Sequence, residues 1–295
     1  MGFKIVELEN SWKIGYKLDN IIVNYKEFVI PILISEIDVL LVNNQLSVSV
    51  RLLSELSKHN VLVIICDEKH IPSTLIVPIS GHYNSLKILE KQMQWTDKYK
   101  FEKWRDIIKL KIFFEDQIID FLKLDKIDNV NYNYDSFVSV QGAEALHARM
   151  LFERLFGKKF IRFDEENDEN RFINSTLNYG FSIILSAFCR SIVKNGYDTR
   201  ISLFHKSFSN HFALASDLME PFRILITFYT YKVIRKLKKE HLILSSEIKT
   251  QLIKILEEDM YYNNERIRIS IGIDKYVFDI LNDKEFKIEF IYDIN

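Results

Sequence analysis

Apolar and polar positions repeat with two different periods along the chain, and the change falls near residue 81. Before that point, short runs rich in Ile, Val and aromatic residues alternate with turn residues, a pattern typical of β-strands. One helix, 47–59, interrupts the runs because Val50, Leu53 and Leu56 fall at helical spacing. The predicted strands are 3–8, 12–16, 21–25, 28–34, 39–42, 61–66 and 74–77.

After residue 81 the apolar period becomes that of a helix. Gly157 and Gly196 each follow a helical pattern, at a position where a left-handed cap is common. The predicted helices are 86–122 (as one or two), 139–156, 172–195, 213–239 and 246–259. Near the end, 267–273 alternates like a strand and 274–281 fits a helix. The fold class is therefore α+β, with a β-rich N-terminal domain, 1–81, before a larger all-α C-terminal domain, 82–295.

The composition is that of an ordinary globular protein and leaves DNA binding open. The 295 residues are 47% hydrophobic and 27% charged. The net charge of −1 counts mildly against a nucleic-acid-binding protein. The charge is uneven, because residues 98–111 hold six basic and two acidic residues, and residues 231–241 hold five basic and one acidic. Such runs are more often solvated helix faces than binding surfaces. The charge totals therefore neither support nor exclude DNA binding.

Both cysteines, Cys66 and Cys189, lie in apolar runs. This placement indicates buried thiols in a reducing compartment, without a disulfide framework or a cysteine-based zinc site. The first residues lack the apolar core of a signal peptide. Charges interrupt the apolar stretches well short of a membrane-spanning length. We therefore expect a cytoplasmic protein with no membrane partner.

The patterns of a nucleotide-phosphate loop and of a serine nucleophile elbow are absent. Candidate chemistry is left to carboxylates and histidines in the helical half. Glu144 shares a predicted helix face with Ala148, Leu151 and Leu155. A carboxylate on an apolar face must be protonated, paired or bound to a cation. A metal ion and a salt bridge to a lysine or arginine are both open at this point.

Asp217 and Glu220 are neighbours on one helix face, and the proline after them breaks a helix. The pair suits a hard cation, but spacing alone slightly favours a helix start with acids at its positive end. His205 lies between two predicted helices, where a histidine is more often a packing residue than a ligand. Glu144-x-x-His147 is half of the motif of di-iron bundles, and the second half is missing. Spacing thus indicates a mixed carboxylate–imidazole metal site and does not identify a more specific function.

Three blocks of the helical half resemble the integrase of CRISPR spacer acquisition, particularly its type II form. The first is Glu144 with Phe152 eight residues on. The second is 177–185, Leu-Asn-Tyr-Gly-Phe-Ser-Ile-Ile-Leu. The third is His205 followed by 210–223, in which Asp-Leu-Met-Glu-Pro-Phe-Arg is highly specific. Shorter matches extend the resemblance over about residues 3–230: 35–38, 62–67, 81–82, 94–96 and 195–197.

The resemblance implies a metal-dependent DNA integrase and endonuclease whose metal ligands are Glu144, His205 and Glu220. With Mn²⁺ or Mg²⁺ bound, the family joins the 3′-hydroxyl of a short DNA duplex to the CRISPR repeat by transesterification. With water as nucleophile, the same site acts as a nuclease. One departure lies beside Glu144, where this chain has Ala143 and Ala145 and many relatives have Arg and Gly. The spacing within that block is kept.

Further residues are assigned from the same blocks. Asp217 shares a face with Glu220, so it is expected to support a ligand or to be an additional one. Asn178 and Tyr179 are expected to line the site. Phosphate contacts, which give affinity without sequence readout, are expected from three sources. These are Lys206, Arg223 and the two basic runs.

The resemblance also implies architecture and partners. The N-terminal β domain pairs two copies as a homodimer, and the C-terminal helical domain holds the catalytic metal site. Two such dimers flank a dimer of the small ferredoxin-like CRISPR adaptation protein in a heterohexamer. The DNA partners are the double-stranded prespacer and the CRISPR repeat. Two other classes stay open: a catalytically inactive DNA-binding scaffold, and, more remotely, a helical oxidoreductase acting through Glu144-x-x-His147.

Overall fold

A computed structural model describes most of the chain. The described residues are 4–8, 13–25, 27–43, 46–66, 72–76, 84–127, 132–164, 167–205, 210–237 and 242–293. The strands are β1 (Lys4–Leu8), β2 (Lys13–Lys17), β3 (Asn20–Tyr25), β4 (Phe28–Leu33), β5 (Ile37–Asn43), β6 (Leu62–Cys66), β7 (Pro72–Ile76), β8 (Asp259–Tyr262), β9 (Glu265–Arg268) and β10 (Ile288–Phe290). The helices are α1 (Val50–Lys58), α2 (Ser85–Met93), α3 (Asp97–Phe121), α4 (Phe137–Phe156), α5 (Asp168–Lys194), α6 (Ala213–Leu218), α7 (Arg223–Lys236), α8 (Ser246–Lys254) and α9 (Ile269–Leu281). The predicted boundary at 81–82 and Lys206 lie outside the described residues.

The N-terminal part consists of two sheets and one helix. β2, β3 and β4 form an antiparallel meander. The second sheet has the order β1-β5-β6-β7, in which β1, β5 and β6 are parallel and β7 is antiparallel. The crossover between β5 and β6 contains α1, which begins after Ser49, whose hydroxyl accepts a hydrogen bond from the amide of Leu52. Over the described positions, each predicted strand of this part is confirmed to within two residues.

The two central strands of the four-stranded sheet, β5 and β6, are buried on both faces, because successive side chains of a strand point to opposite sides. Leu40, Val42 and Val63 pack into an N-terminal core with residues of the meander and of α1. Val39 and Ile64, each one position along, belong instead to the core of the helical part. This sheet therefore connects the two halves of the protein through its two faces.

The helical part is built around α5. Leu177, Ile184 and Phe188 on this helix have no exposed surface. By length and composition α5 is the one described helix that could cross a membrane, but 67% of its apolar window is buried inside the protein, as in a core helix. The predicted region 86–122 is two helices, and the second begins after Thr96, whose side chain accepts the amide of Tyr99.

The predicted helix 213–239 is broken at Pro221. α6 ends at Leu218, a 3-10 turn spans Glu220–Phe222, and α7 follows directly. Proline lacks an amide donor and its ring clashes with the preceding turn, so it is tolerated only where a helix begins. The break places Glu220 in a short turn that packs against α3.

The C-terminal part is mostly helical, and it also holds a small sheet, β10-β8-β9, that the sequence pattern did not predict. The predicted strand 267–273 is wrong beyond residue 268, where β9 ends and α9 begins. The isoleucines at alternate positions suit a strand, but Ile269, Ile273 and Tyr276 also form one buried helical face. Packing of α9 on α5 selects the helix. A β-rich N-terminal part followed by a mostly helical part is confirmed.

Candidate active site

Three elements meet at one buried lysine. Lys111 on α3 is 5% exposed. Its Nζ donates a hydrogen bond to Oε1 of Glu144 on α4, and another, 2.9 Å long, to Oε2 of Glu220 in the 3-10 turn. α3 packs against both of these elements. Two of the three expected metal ligands, far apart in the sequence, are thus brought to one point.

Glu220 is buried and ionised. Burial by itself raises the pKa of Glu220, but Arg223, Lys111 and His205 together lower it below its ordinary value. The Arg223 guanidinium lies one helical turn away, with Nη2 3.1 Å from Oε1 of Glu220. The charge of Glu220 raises the pKa of His205, and that of His205 lowers the pKa of Glu220.

Asp217 fixes the position of His205. The Asp217 carboxylate is fully buried and accepts the backbone amides of Leu203 at 2.7 Å, Phe204 at 2.9 Å and His205 at 3.2 Å. It also lies 2.5 Å from Nδ1 of His205, and this hydrogen bond is the main cause that raises the pKa of the imidazole. With Nδ1 engaged, Nε2 is the nitrogen left for a metal ion. Asp217 thus holds both the backbone and the imidazole of His205, and its role toward a metal ion stays a prediction.

A third buried acid, Glu115, extends the cluster and was missed by sequence reasoning. Its Oε1 lies 4.0 Å from Nζ of Lys111, one turn earlier on α3. Burial is the main cause that raises the pKa of Glu115 to about 8, so its protonated form predominates at neutral pH. His147 Nε2 lies 3.7 Å from Oε2 of Glu115, and burial lowers the pKa of His147 to about 4. The available signal was a lysine and a glutamate four apart on an apolar helix face.

The sequence assigns Lys111 to the basic run 98–111, but the structure removes it from the surface. Lys98 and Lys109 of the same run are exposed and remain candidates for phosphate contacts. Part of the second run, 238–241, lies outside the described residues. Counting charge along the sequence cannot separate a buried lysine from its exposed neighbours, because they differ only in which helix face they occupy.

The side chains suit a divalent cation by their chemistry. Two carboxylates and one imidazole are ligands that Mn²⁺ accepts, and Mg²⁺ favours the carboxylates. The ammonium of Lys111 already stands as a cation between Glu144 and Glu220. Within the part of the chain that the structure describes, no three Asp, Glu, His or Cys side chains are arranged to hold a metal ion directly. The ligand set of Glu144, His205 and Glu220 stays a prediction.

Comparison with known proteins decides the family. The sequence profile of the family described as "CRISPR associated protein Cas1" matches residues 8–258. The chain belongs to the Cas1 family. The profile therefore spans β2 to β7 of the N-terminal part and all the elements that contribute the candidate active site.

Known Cas1 proteins and Cas1-like structures match nearly the whole chain. A relative from Neisseria meningitidis serogroup C (strain 8013), named CRISPR-associated endonuclease Cas1, is 28% identical over 286 residues, which are 94% of this chain and 90% of the relative. A casposase bound to integration product has a TM-score of 0.76 at 18% identity, over 99% of this chain and 95% of its own. A Cas6-RT-Cas1–Cas2 complex contains a chain that matches 95% of this chain with 35% of its own, at a TM-score of 0.69 and 17% identity. At these identities the two structures establish a shared fold.

Within this Cas1 fold, Asn178 is connected to the site through a pair of arginines. Its Oδ1 accepts a hydrogen bond of 2.6 Å from Nη2 of Arg162. The guanidinium of Arg162 lies 5.9 Å from the ring centroid of Phe181, and that of Arg223 lies 5.0 Å from the same centroid. Burial and the charge of Arg223 lower the pKa of Arg162 to about 10. Sequence reasoning missed Arg162, which lies between Ile161 and Phe163 in a stretch with charged residues on both sides.

Two other residues of the Cas1 motif blocks are turned into the core. Tyr179 is 4% exposed, and the ammonium of Lys249 on α8 lies 5.6 Å from its ring centroid. Its expected place in the site stays a prediction. His147, of Glu144-x-x-His147, is buried with its Nδ1 2.7 Å from the hydroxyl of Tyr132. The oxidoreductase alternative rested on Glu144-x-x-His147 alone, and membership of the Cas1 family leaves it without support.

Proposed function

We propose that this chain is a metal-dependent DNA integrase and endonuclease that joins short duplex DNA to the CRISPR repeat during spacer acquisition. The observation that carries the proposal is the convergence of Glu144 and Glu220 on one buried cation in a Cas1-family chain. Similarity to a casposase bound to integration product supports the integrase activity. Similarity to a relative named as an endonuclease supports the nuclease activity.

Each residue of the site has a separate task. Glu144, Glu220 and Nε2 of His205 would hold Mn²⁺ or Mg²⁺, which supplies polarisation of the scissile phosphate and a lowered pKa for the attacking hydroxyl. Asp217 keeps the proton of the neutral imidazole on Nδ1, so that Nε2 presents its lone pair. Arg223 helps to keep Glu220 ionised.

The reaction is a pair of transesterifications. In each one, the 3′-hydroxyl of the incoming duplex attacks a phosphodiester at the repeat boundary. A new phosphoester bond forms as one in the repeat strand breaks, so no energy source is consumed. Hydrolysis follows the same course with water as the nucleophile.

Arginines beside the site are suited to hold the DNA backbone. Arg162 donates hydrogen bonds to the side-chain oxygens of Asn174 and Asn178. Because both amides are neutral, they do not compensate the charge of the guanidinium, which can pair with a phosphate. The Arg223 side chain is one-third exposed and can contact a phosphate while it pairs with Glu220. Lys206 and the exposed basic residues of α3 would extend this contact.

The assembly is proposed from the resemblance and from one exposed surface. Phe28, Val29, Ile30 and Leu33 on β4, the edge strand of the meander, are 68%, 63%, 45% and 39% exposed. An apolar edge strand of this kind pairs readily with a second copy, which gives the homodimer. Two dimers would flank a dimer of the small ferredoxin-like adaptation protein in the cytoplasm, and the similar Cas6-RT-Cas1–Cas2 complex is consistent with that heterohexamer.

Strand transfer tests the proposal. The purified chain, with the small adaptation partner and Mn²⁺, is mixed with a short labelled prespacer duplex and a supercoiled plasmid that carries the repeat. We expect labelled plasmid in the wild type, and none with EDTA or in Glu144→Ala, His205→Ala or Glu220→Ala. Glu153→Ala, at a half-exposed position on α4, and His59→Ala, at an exposed position directly after α1, are controls that should keep activity. Circular dichroism establishes that each variant is folded.

The outcomes separate the proposal from its alternative. Activity that survives in all three ligand variants would contradict the site. A wild type that binds the duplex with Mn²⁺ present and never joins it would favour the inactive scaffold. Loss of activity in the three variants, together with retained DNA binding, would support the integrase and its ligand set.

A further inference from the structure

Lys111 combines burial with two contacts to expected metal ligands. It lies on the face of α3 that carries Ile107 and Ile108, and almost none of its surface is exposed. Its ammonium is bonded to both Glu144 and Glu220. A lysine is rarely buried unless it is paired. The ammonium of Lys111 is therefore a structural component of the site.

Lys111 and Arg223 match the charge of the two carboxylates that they contact without a metal ion. Glu144 and Glu220 contribute two negative charges, and Lys111 and Arg223 contribute two positive charges. Glu115, the third acid near the ammonium, is mostly protonated at neutral pH. A divalent cation placed between the two carboxylates with the ammonium still there would lie next to a second positive charge in a mostly buried place, where repulsion is only weakly screened. A metal ion and the Lys111 ammonium therefore compete for the same two carboxylates.

We propose that the Lys111 ammonium is the resident cation of this site, and that a divalent metal binds by displacing it from between Glu144 and Glu220. The inference rests on the proposed function, because it takes these carboxylates as metal ligands. Lys111 is then a positioning residue that keeps the two carboxylates together before the metal arrives. It also lowers the affinity of the site for the metal.

Displacement gives the ammonium a second task. Once moved off the carboxylates, it needs another anion, and a DNA phosphate is the anion that the proposed reaction brings to the site. DNA binding then strengthens metal binding, and metal binding strengthens DNA binding by the same factor. The site thus becomes loaded with metal mainly when its substrate is present.

Calorimetric titration of the metal-stripped full chain with Mn²⁺ tests the competition. Lys111→Gln removes the charge and keeps a hydrogen-bond donor of similar length. We expect it to bind Mn²⁺ at least about tenfold more tightly than the wild type, because one positive charge no longer opposes the metal. Lys91→Gln, an exposed lysine on α2, makes the same change in net charge and should bind as the wild type does. Short duplex DNA should raise the Mn²⁺ affinity more in the wild type than in Lys111→Gln.

The outcomes of the Mn²⁺ titration distinguish the displacement from the metal site itself. Tighter binding by Lys111→Gln, or binding that is detectable only in this variant, supports the displacement. Equal or weaker binding by a folded Lys111→Gln overturns it, and the proposed metal site survives. Absence of Mn²⁺ binding in both proteins overturns the metal site itself and the displacement with it.

Chemical labelling of the wild type gives a second test that needs no variant. Acetic anhydride modifies exposed amines, and mass spectrometry measures the modification of each lysine. We expect Lys111 to be protected in the metal-free protein and to become several-fold more reactive with saturating Mn²⁺, while Lys91 stays equally reactive. Unchanged protection of Lys111 at saturating Mn²⁺ would overturn the displacement.

Discussion

At the scale of single residues, burial acts on two neighbouring acids in opposite ways. Burial raises the pKa of both Glu220 and Glu115. Arg223 and Lys111 outweigh that effect at Glu220, which lies 2.9 Å from the ammonium, so its pKa ends below the ordinary value. At Glu115 the ammonium is 4.0 Å away and burial prevails. Arg223 and Lys111 together therefore keep Glu220 charged, whereas Lys111 leaves Glu115 mostly protonated.

Glu115 makes stability depend on pH in a defined direction. Its pKa is about 8 in the folded protein and about 4.5 when unfolded, so the folded state holds a proton that the unfolded state releases. This stabilisation is complete below about pH 4.5 and is lost as the pH rises towards 8. Glu115→Gln cannot lose a proton, so we expect its unfolding free energy to exceed that of the wild type by on the order of 3 kcal/mol at pH 8.

Urea denaturation at pH 5 and pH 8 measures this difference. The gain of Glu115→Gln over the wild type should be small at pH 5 and large at pH 8. Glu102→Gln, which makes the same change at a half-exposed position on the same helix, is the matched control. An equal gain at both pH values would show that the Glu115 carboxyl titrates normally in the folded protein.

At the scale of elements, the site depends on how closely α5 and α7 approach. Gly180 of α5 faces Ile226 of α7, and a Cβ atom at Gly180 would lie 2.4 Å from Cγ2 of that isoleucine. α7 follows directly after the turn that carries Glu220. A side chain at position 180 would therefore separate the helices and move the segment that positions Glu220.

Gly180→Ala tests this close contact. We expect a loss of about 1–3 kcal/mol in unfolding free energy, because overpacking a well-filled core forces side chains and backbone to shift. Gly142→Ala on α4 is the matched control, since a Cβ there meets nothing within 4 Å. It should stabilise the protein by up to about 1 kcal/mol through helix propensity. Both values come from urea denaturation, and equal effects of the two substitutions would contradict the close packing of α5 on α7.

At the scale of the whole molecule, two cores meet at one sheet and one surface remains apolar. The four-stranded sheet gives one face to each core, so the N-terminal part is fixed to the helical part by packing. The meander has a different position, because it packs only into the N-terminal core and leaves β4 as an exposed edge. That edge is where a second copy would join.

Lysines on β4 should separate the proposed homodimer. Phe28→Lys combined with Ile30→Lys places two positive charges on the edge strand of each copy, where an interface would desolvate them. We expect analytical ultracentrifugation at micromolar concentration to show a dimer in the wild type and a monomer in this variant. Leu86→Lys with Met93→Lys changes two exposed apolar residues on α2 and should remain dimeric. A dimer that persists in the β4 variant would place the interface elsewhere.

The sequence by itself determined the elements whose causes are local. Alternating apolar runs and turn residues located the N-terminal strands, and Gly157 and Gly196 ended helices with φ values of +88° and +82°. The motif blocks indicated the family that the profile match confirms. Local pattern misplaced the start of α9, because the same isoleucines suit a strand and a helix, and only packing against α5 selects one.

Only the tertiary structure decided what surrounds each charge. Glu144 was expected to need a cation, but spacing could not tell a metal ion from a salt bridge, and the structure supplies Lys111. Lys111 itself looked like one more surface charge. Its spacing of four from Glu115 was the only signal for that acid, and Arg162 gave no distinct signal. Periodicity determines which face of a helix is buried, because that depends on neighbours in the sequence. The partner of a buried charge comes from another element, so it is fixed only when the helices pack together.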